Sequence, residues 1–211
     1  MMNIISRIEW RLYKNRKTRR LKNKNPTIIS SNCNGGMILH DLGIRFNTPT
    51  INLFFESRDY IKFVSKLDEY LSLELTETAS DKSYPVGKLG DIQVNFMHYK
   101  SFEDAKDKWN ERRQRVDRNN IFLMFTDKDG CTDDDLRAFD TLPYEHKVVF
   151  THIPHPEIKS AYYIKGFEKE TEVGILSDFK PGFFRRRYID DFDYVSFLNG
   201  NQTEERNRND R

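Results

Sequence analysis

Five consecutive apolar residues, Ile121-Phe122-Leu123-Met124-Phe125, stand between Asn119-Asn120 and Thr126-Asp127. A strand that alternates apolar and polar residues can leave one face in water. An unbroken run must be covered on both faces, which marks a central strand with layers above and below it. Shorter apolar segments at Ile28-Ile29 and Val148–Phe150 fit neighbouring strands. Helical patterns lie between them, and strand, helix, strand at this spacing favours parallel crossovers. The chain therefore reads as α/β: two small α/β halves with a mostly parallel sheet and flanking helices, behind a basic N-terminal helix.

The remaining pattern fills in that outline. A helix is expected from Met37 to about Leu42, with Gly43 placed to accept the left-handed backbone of its end. Thr50 to Phe55, β-branched then aromatic, reads as a strand. Ser57 is positioned to cap a helix that carries Tyr60, Val64, Leu67 and Leu71 on one face. Ile92, Val94 and Phe96 alternate as a half-buried strand, and Ser101 with Asp104 opens a helix to about Val116 with Phe102, Ala105 and Trp109 in its stripe. Thr132 with Asp135 caps a short helix to about Asp140, Val173 to Leu176 reads as an edge strand, and Asp190 to Leu198 as a last helix stopped by Gly200. The expected division is a basic tail over 1–26, α/β halves over 27–83 and 84–200, and a polar tail over 201–211.

With 37% hydrophobic and 32% charged residues, such a core depends on the 16 Phe, 10 Tyr and 2 Trp, which supply large apolar surfaces per residue. No run approaches the roughly 18 apolar residues of a membrane span, and no secretory signal is visible, so a cytoplasmic location is expected. Cys33 and Cys131 are then expected as free thiols, and Asn201-Gln202-Thr203 carries no meaning as a glycosylation acceptor. The net charge of +2 conceals +8 over residues 1–26 and −6 over the rest. Within that basic segment Ile5, Ile8 and Leu12 fall at helical spacing, with Ile4 beside them and Trp10 near the edge. Such a helix can pack on the body, or lie on the anionic inner leaflet of a membrane. Nucleic acid would attract the same charges but is not the expected partner.

Chemistry is expected where loops leave strands and enter helices, because open parallel sheets bind ligands at that end. Two loops qualify, Ser31 to Gly36 and Asp127 to Thr132. In the first, Asn32 and the amides of Gly35 and Gly36 could receive an anion at a helix N-terminus, although no phosphate-loop signature is present. In the second, Asp127-Lys128-Asp129 resembles the DxD element of sugar-nucleotide-dependent glycosyltransferases, with carboxylates suited to Mg²⁺ or Mn²⁺. A plain capped turn accounts for either loop without a ligand. Lys88, in Gly87-Lys88-Leu89-Gly90-Asp91, could reach a phosphate. So could Arg185, Arg186 and Arg187 with Lys180 and the aromatics Phe183, Phe184 and Tyr188. Cys33 and Cys131 sit one in each loop as candidate nucleophiles, with His40, His98, His146, His152 and His155 as candidate bases.

The strings Ile28-Ile29-Ser30-Ser31-Asn32-Cys33-Asn34-Gly35-Gly36, Asn47-Thr48-Pro49-Thr50, Tyr84-Pro85-Val86-Gly87-Lys88-Leu89-Gly90-Asp91, His98-Tyr99-Lys100-Ser101, Trp109 and Asp129-Gly130-Cys131-Thr132 occur in one order. That order resembles a bacterial family, the domain of unknown function numbered nineteen-nineteen, whose members are often labelled exopolysaccharide biosynthesis proteins. The resemblance spans most of residues 7–153. It implies a polysaccharide-assembly context and a small two-part α/β fold, and it brings no catalytic residues with it. Asn34 stands where the family is associated with an aromatic residue, so a stacking contact in that loop is not expected. The leading expectation is a transferase acting on a sugar nucleotide or lipid-linked glycan. In it Asp127 and Asp129 hold a metal-diphosphate, Lys88 and the Gly35-Gly36 amides offset phosphate charge, and His98 serves as base. Cysteine-dependent acyl or phosphate-group transfer is a second reading, and a noncatalytic carbohydrate-binding or assembly protein a third.

Overall fold

The computed structural model describes residues 4–182 and 186–200. In chain order they form α1 (Ile4–Arg20), β1 (Thr27–Ser30), α2 (Asn34–Leu42), α3 (Ser57–Ser65), α4 (Leu67–Ser72), β2 (Thr76–Glu77), β3 (Val86–Leu89), β4 (Ile92–Asn95), α5 (Phe102–Arg113), β5 (Ile121–Thr126), α6 (Asp133–Asp140), β6 (Lys147–Thr151), β7 (Ala161–Tyr163), a 3₁₀ turn at Tyr188–Asp191 and α7 (Tyr194–Leu198). Among these residues a four-stranded parallel sheet runs in the order β1-β5-β6-β7, and β2-β3-β4 make a small antiparallel sheet. The expected α/β class holds. Because β1 pairs with β5, residues 27–83 and 84–200 share one sheet.

The apolar run behaves as its composition requires. Successive strand residues face opposite sides, so Ile29, Leu123, Phe125 and Val149 enter one core with α3, α5 and α6. Ile28, Phe122, Met124, Val148 and Phe150 enter the other, with α2 and α7. Aromatic rings fill the first core, where Tyr60 stacks on Phe125 at 5.3 Å and Phe55 on Phe63 at 5.1 Å. Local signals hold at several ends. Gly43 is left-handed with φ 67°, the Ser101 side chain accepts from the Asp104 amide, and Thr132 and Asp135 form a reciprocal capping box.

Other expectations are corrected. Thr50–Phe55 is not a ladder strand, because its backbone bonds go to two different places. Phe54 bridges to Asn95 of β4, while the Phe55 amide donates to the Ser31 carbonyl at 2.9 Å. Ile51, Leu53 and Phe55 are nonetheless buried, so the pattern reported burial rather than pairing. Val173–Leu176 is not the edge strand; β7 is, and the Val173 amide donates instead to a side chain, Asp127. The helix through Tyr60 and Leu71 breaks at Lys66 into α3 and α4. Glu56, not Ser57, occupies the cap position. Of the two placements expected for the basic helix, packing on the body is seen, with Lys17 of α1 buried against Asp190 at 3.1 Å.

Candidate functional site

All four strands of the parallel sheet point the same way, so the loops that leave them gather on one rim. At that rim opens a cleft of about 530 Å³. The first loop lines it with Asn32, Cys33 and Asn34, and the second with Lys128 and Asp129. Phe54, Tyr84, Met97 and His98 form a wall from the side of the antiparallel sheet, and Gly174 to Ser177 close the remaining side. The two loops singled out in the sequence therefore face a shared space, together with His98.

They reach it by different means. In the first loop the Asn32 side chain and the amides of Asn34 and Gly35 are held by the protein itself, while the buried Ser31 hydroxyl has no hydrogen-bond partner among the described residues. The Asn32 side-chain oxygen accepts from the Asn34 amide at 3.2 Å, its nitrogen donates to Thr126 Oγ1 at 3.0 Å, and the Gly35 amide donates to Ser30 Oγ at 3.4 Å. The expected anion cradle is accordingly occupied at Asn34 and Gly35 by the protein's own oxygens. Gly35 and Gly36 are buried and lie outside the cleft lining. A Cβ on Gly35 would stand 2.8 Å from Ile28 Cγ2 and 2.9 Å from Ser30 Cβ, so this glycine lets α2 sit directly on β1.

In the second loop the two aspartates have opposite fates. Asp127 is buried, and both of its oxygens are taken. Oδ1 accepts the Val173 amide at 2.8 Å, and Oδ2 accepts the His152 amide at 2.8 Å and lies 2.6 Å from His152 Nδ1. Burial raises its carboxyl pKa, against the pull of these hydrogen bonds. Asp129 is held differently, in a left-handed conformation with φ 56° beside Gly130 at φ 79°. Ser57 pins the loop, its amide donating to the Asp129 carbonyl at 3.0 Å and its hydroxyl to the Lys128 carbonyl at 2.6 Å. The Asp129 carboxylate has no hydrogen-bond partner among the described residues. Its pKa is pushed up to about 6, by burial above all, with Glu56 and Glu172 adding to the effect and Lys128 opposing it. Lys128 is itself paired with Glu172.

The pair expected to grip Mg²⁺ or Mn²⁺ is thus divided, with Asp127 turned into the protein and Asp129 toward the cleft. Among the described residues no group of three or more His, Cys, Asp or Glu side chains is placed to hold a metal ion. Lys88 lies on β3, opposite Gln93 and Thr76, and outside the cleft lining. Cys33 lines the cleft, but burial raises its thiol pKa and its Sγ points at the Leu53 carbonyl, 3.7 Å away. Cys131 is outside the lining, and its thiol is pushed up to about 12, mainly by burial and then by the charge of Asp135. Both shifts run opposite to those of an activated nucleophile.

Of the basic cluster, Arg185 lies outside the described residues with Phe183 and Phe184. Arg187 is buried between Asp41 at 2.7 Å and Asp190 at 3.2 Å, and Lys180 is paired with Asp191. These cations serve the fold. The contact missed in the sequence is Asp127 with His152. Its one available signal was an acid directly after one apolar strand and a histidine directly after the next.

A protein of Haemophilus influenzae (strain ATCC 51907 / DSM 11121 / KW20 / Rd), described as an uncharacterized protein, is 48% identical over 181 residues, which cover 86% of this chain and 87% of that relative. The model of one family matches residues 4–199, nearly all of the described chain including both loops, and the chain therefore belongs to the family described as Domain of unknown function (DUF1919).

Proposed function

We propose that the protein is a transferase of cytoplasmic surface-polysaccharide assembly, acting on a glycan bound in the rim cleft, with Asp129 as the base that activates a sugar hydroxyl. The observation that carries the reading is the position of Asp129: a carboxylate without a hydrogen-bond partner among the described residues, facing a cleft with aromatic and aliphatic walls. Phe54 and Tyr84 stand edge to face at 6.1 Å and offer apolar surface to the C–H face of a sugar ring, while His98 and Ser177 offer polar contacts at its margin. The link to exopolysaccharide rests on the resemblance of the motif strings alone.

Electrostatics supports the glycan acceptor, rather than the diphosphate of a sugar nucleotide, as the group seated beside Asp129. A sugar nucleotide brings a diphosphate, which would meet one lysine already paired with Glu172, occupied loop amides and an opposing carboxylate. The uncharged outer rings of a glycan acceptor, with its lipid-linking phosphate outside the cleft, meet no such repulsion. Above about pH 6 Asp129 is ionised and can take the proton of an acceptor hydroxyl as its oxygen bonds to the anomeric carbon of a phosphate-activated sugar donor, whose bond to the phosphate oxygen breaks and releases the phosphate as an anion. His98, which also lines the cleft, would hold a neighbouring hydroxyl. No step is assigned to a metal or to either thiol.

Incubating a short-chain lipid-linked saccharide and candidate donors with wild-type protein and with Asp129→Asn tests this reading. Product from wild type, with a loss of at least about 100-fold in the variant and binding retained, is the expected result. Saccharide binding without turnover in either protein would instead identify a carbohydrate-binding protein.

A further inference from the structure

From Arg11 to Arg20 the cations of α1 fall into two sets according to the face they occupy. Lys14, Lys17 and Arg20 turn toward the body, where they meet Asp41 at 3.8 Å, Asp190 at 3.1 Å and Asp193 at 2.6 Å. The Lys17 ammonium also lies over the Tyr194 ring at 3.8 Å, and Arg187 over the Trp10 ring at 4.8 Å. This face holds the helix to the protein. Arg11, Arg16 and Arg19 turn outward, all exposed, and no acidic partner for them occurs among the described residues. Steps of three and four residues place Ile8, Leu12 and Asn15 on the same outer face. Ile8 is 55% exposed and Leu12 63%.

Two aliphatic side chains in water among three unpaired guanidinium groups gain nothing for an isolated protein. They suit a helix lying in a bilayer interface, where apolar residues enter the acyl boundary and cations meet anionic headgroups. We infer that the outer face of α1 is a docking surface for an anionic lipid bilayer. Charge selects an acidic membrane over a neutral one. The apolar pair selects membrane over nucleic acid, whose phosphates would recruit the arginines but leave Ile8 and Leu12 exposed.

The surface also orients the cleft. Phe179 packs edge-on against Trp10 of α1 at 5.7 Å, and four residues earlier in the same segment Ile175, 59% exposed, lines the cleft. Four residues span at most about 14 Å, so the cleft mouth lies close to the docked helix. A saccharide carried on a membrane lipid would reach it from the bilayer. That last step rests on the glycan reading of the cleft; the docking does not.

Flotation of the full chain with vesicles of phosphatidylcholine, with and without about 30% phosphatidylglycerol, at near-physiological salt tests the docking. The acidic vesicles should bind at least about tenfold more tightly. Ile8→Ser with Leu12→Ser, and separately Arg11→Gln with Arg16→Gln and Arg19→Gln, should each lower that binding at least about tenfold. Both variants should keep the wild-type melting temperature, since the altered side chains face solvent. Equal binding to both vesicle types, unchanged binding by both variants, or tighter binding to a DNA duplex than to the acidic vesicles would overturn the inference. Asp129→Asn should float like wild type, so failure of the cleft reading and failure of the docking are separate results.

Discussion

The two loops at the rim of the parallel sheet use their polar groups in contrasting ways. The loop after β1 is rich in amides and glycine, yet it turns inward: Asn32 serves the Asn34 amide and Thr126, and Ser30 serves the Gly35 amide. The loop after β5 also spends one aspartate on structure, since Asp127 binds two backbone amides and an imidazole. Two residues later it holds Asp129 in a left-handed conformation, with a carboxylate that nothing described satisfies. Among the described residues the one other non-glycine residue with positive φ is Asn52, at 61°, whose carbonyl accepts the amide of His98, another cleft residue. Left-handed backbone thus occurs at one cleft residue, Asp129, and at the residue whose carbonyl holds another, His98.

The contrast is open to direct attack, and the largest expected effect is at Asp127. Asp127→Ala leaves the amides of Val173 and His152 without their acceptor, and should destabilise the protein by about 3 kcal/mol in chemical denaturation. A loss under about 1 kcal/mol would remove Asp127 from its structural role. Gly35→Val should cost about 2 kcal/mol, because its side chain would meet Ile28 and Ser30 on β1. Normal stability in that variant, with altered ligand binding, would return Gly35 to the site.

Asp129→Asn should act in the opposite direction. The folded-state pKa of about 6 lies above the ordinary carboxylate value of 3.8. Folding therefore favours the protonated form, and stability falls as pH rises from about 4 to about 6. Asparagine removes that penalty, so the variant should gain about 1 kcal/mol at pH 7, after allowance for partial exposure, and should lose this pH dependence. Denaturation midpoints across pH 4 to 8 would show it, and identical curves for the two proteins would contradict it. The smallest effect is expected at the cysteines. With both thiol pKa values raised, alkylation at neutral pH should be slower than that of a free thiol, and Cys131→Ala should leave any transfer activity unchanged.

What could be read in the sequence depended on the range of the interaction responsible. Local devices were legible: Thr132 with Asp135, Ser101 with Asp104 and Gly43 all act within a few residues. The run at Ile121–Phe125 was legible because it must be buried on both faces. Burial alone does not determine pairing. Ile51, Leu53 and Phe55 are as buried as strand residues, but the segment divides its bonds between the rim and the antiparallel sheet. Ala161–Tyr163 was missed as a strand for the converse reason, since Tyr162 and Tyr163 are only partly buried and leave a weak pattern. At the site, the convergence of the two loops followed from parallel topology. The separation of Asp127 from Asp129 did not, because it depends on His152 and Val173, 25 and 46 residues away.

Asp129 faces the cleft in which the proposed reading seats a glycan. Amide NMR spectra recorded while a surface-polysaccharide fragment is titrated into the protein test that claim most directly. Resonances of Asn32, Tyr84, His98 and Asp129 should shift together and saturably. Shifts confined to residues away from the cleft, or none up to solubility, would contradict it.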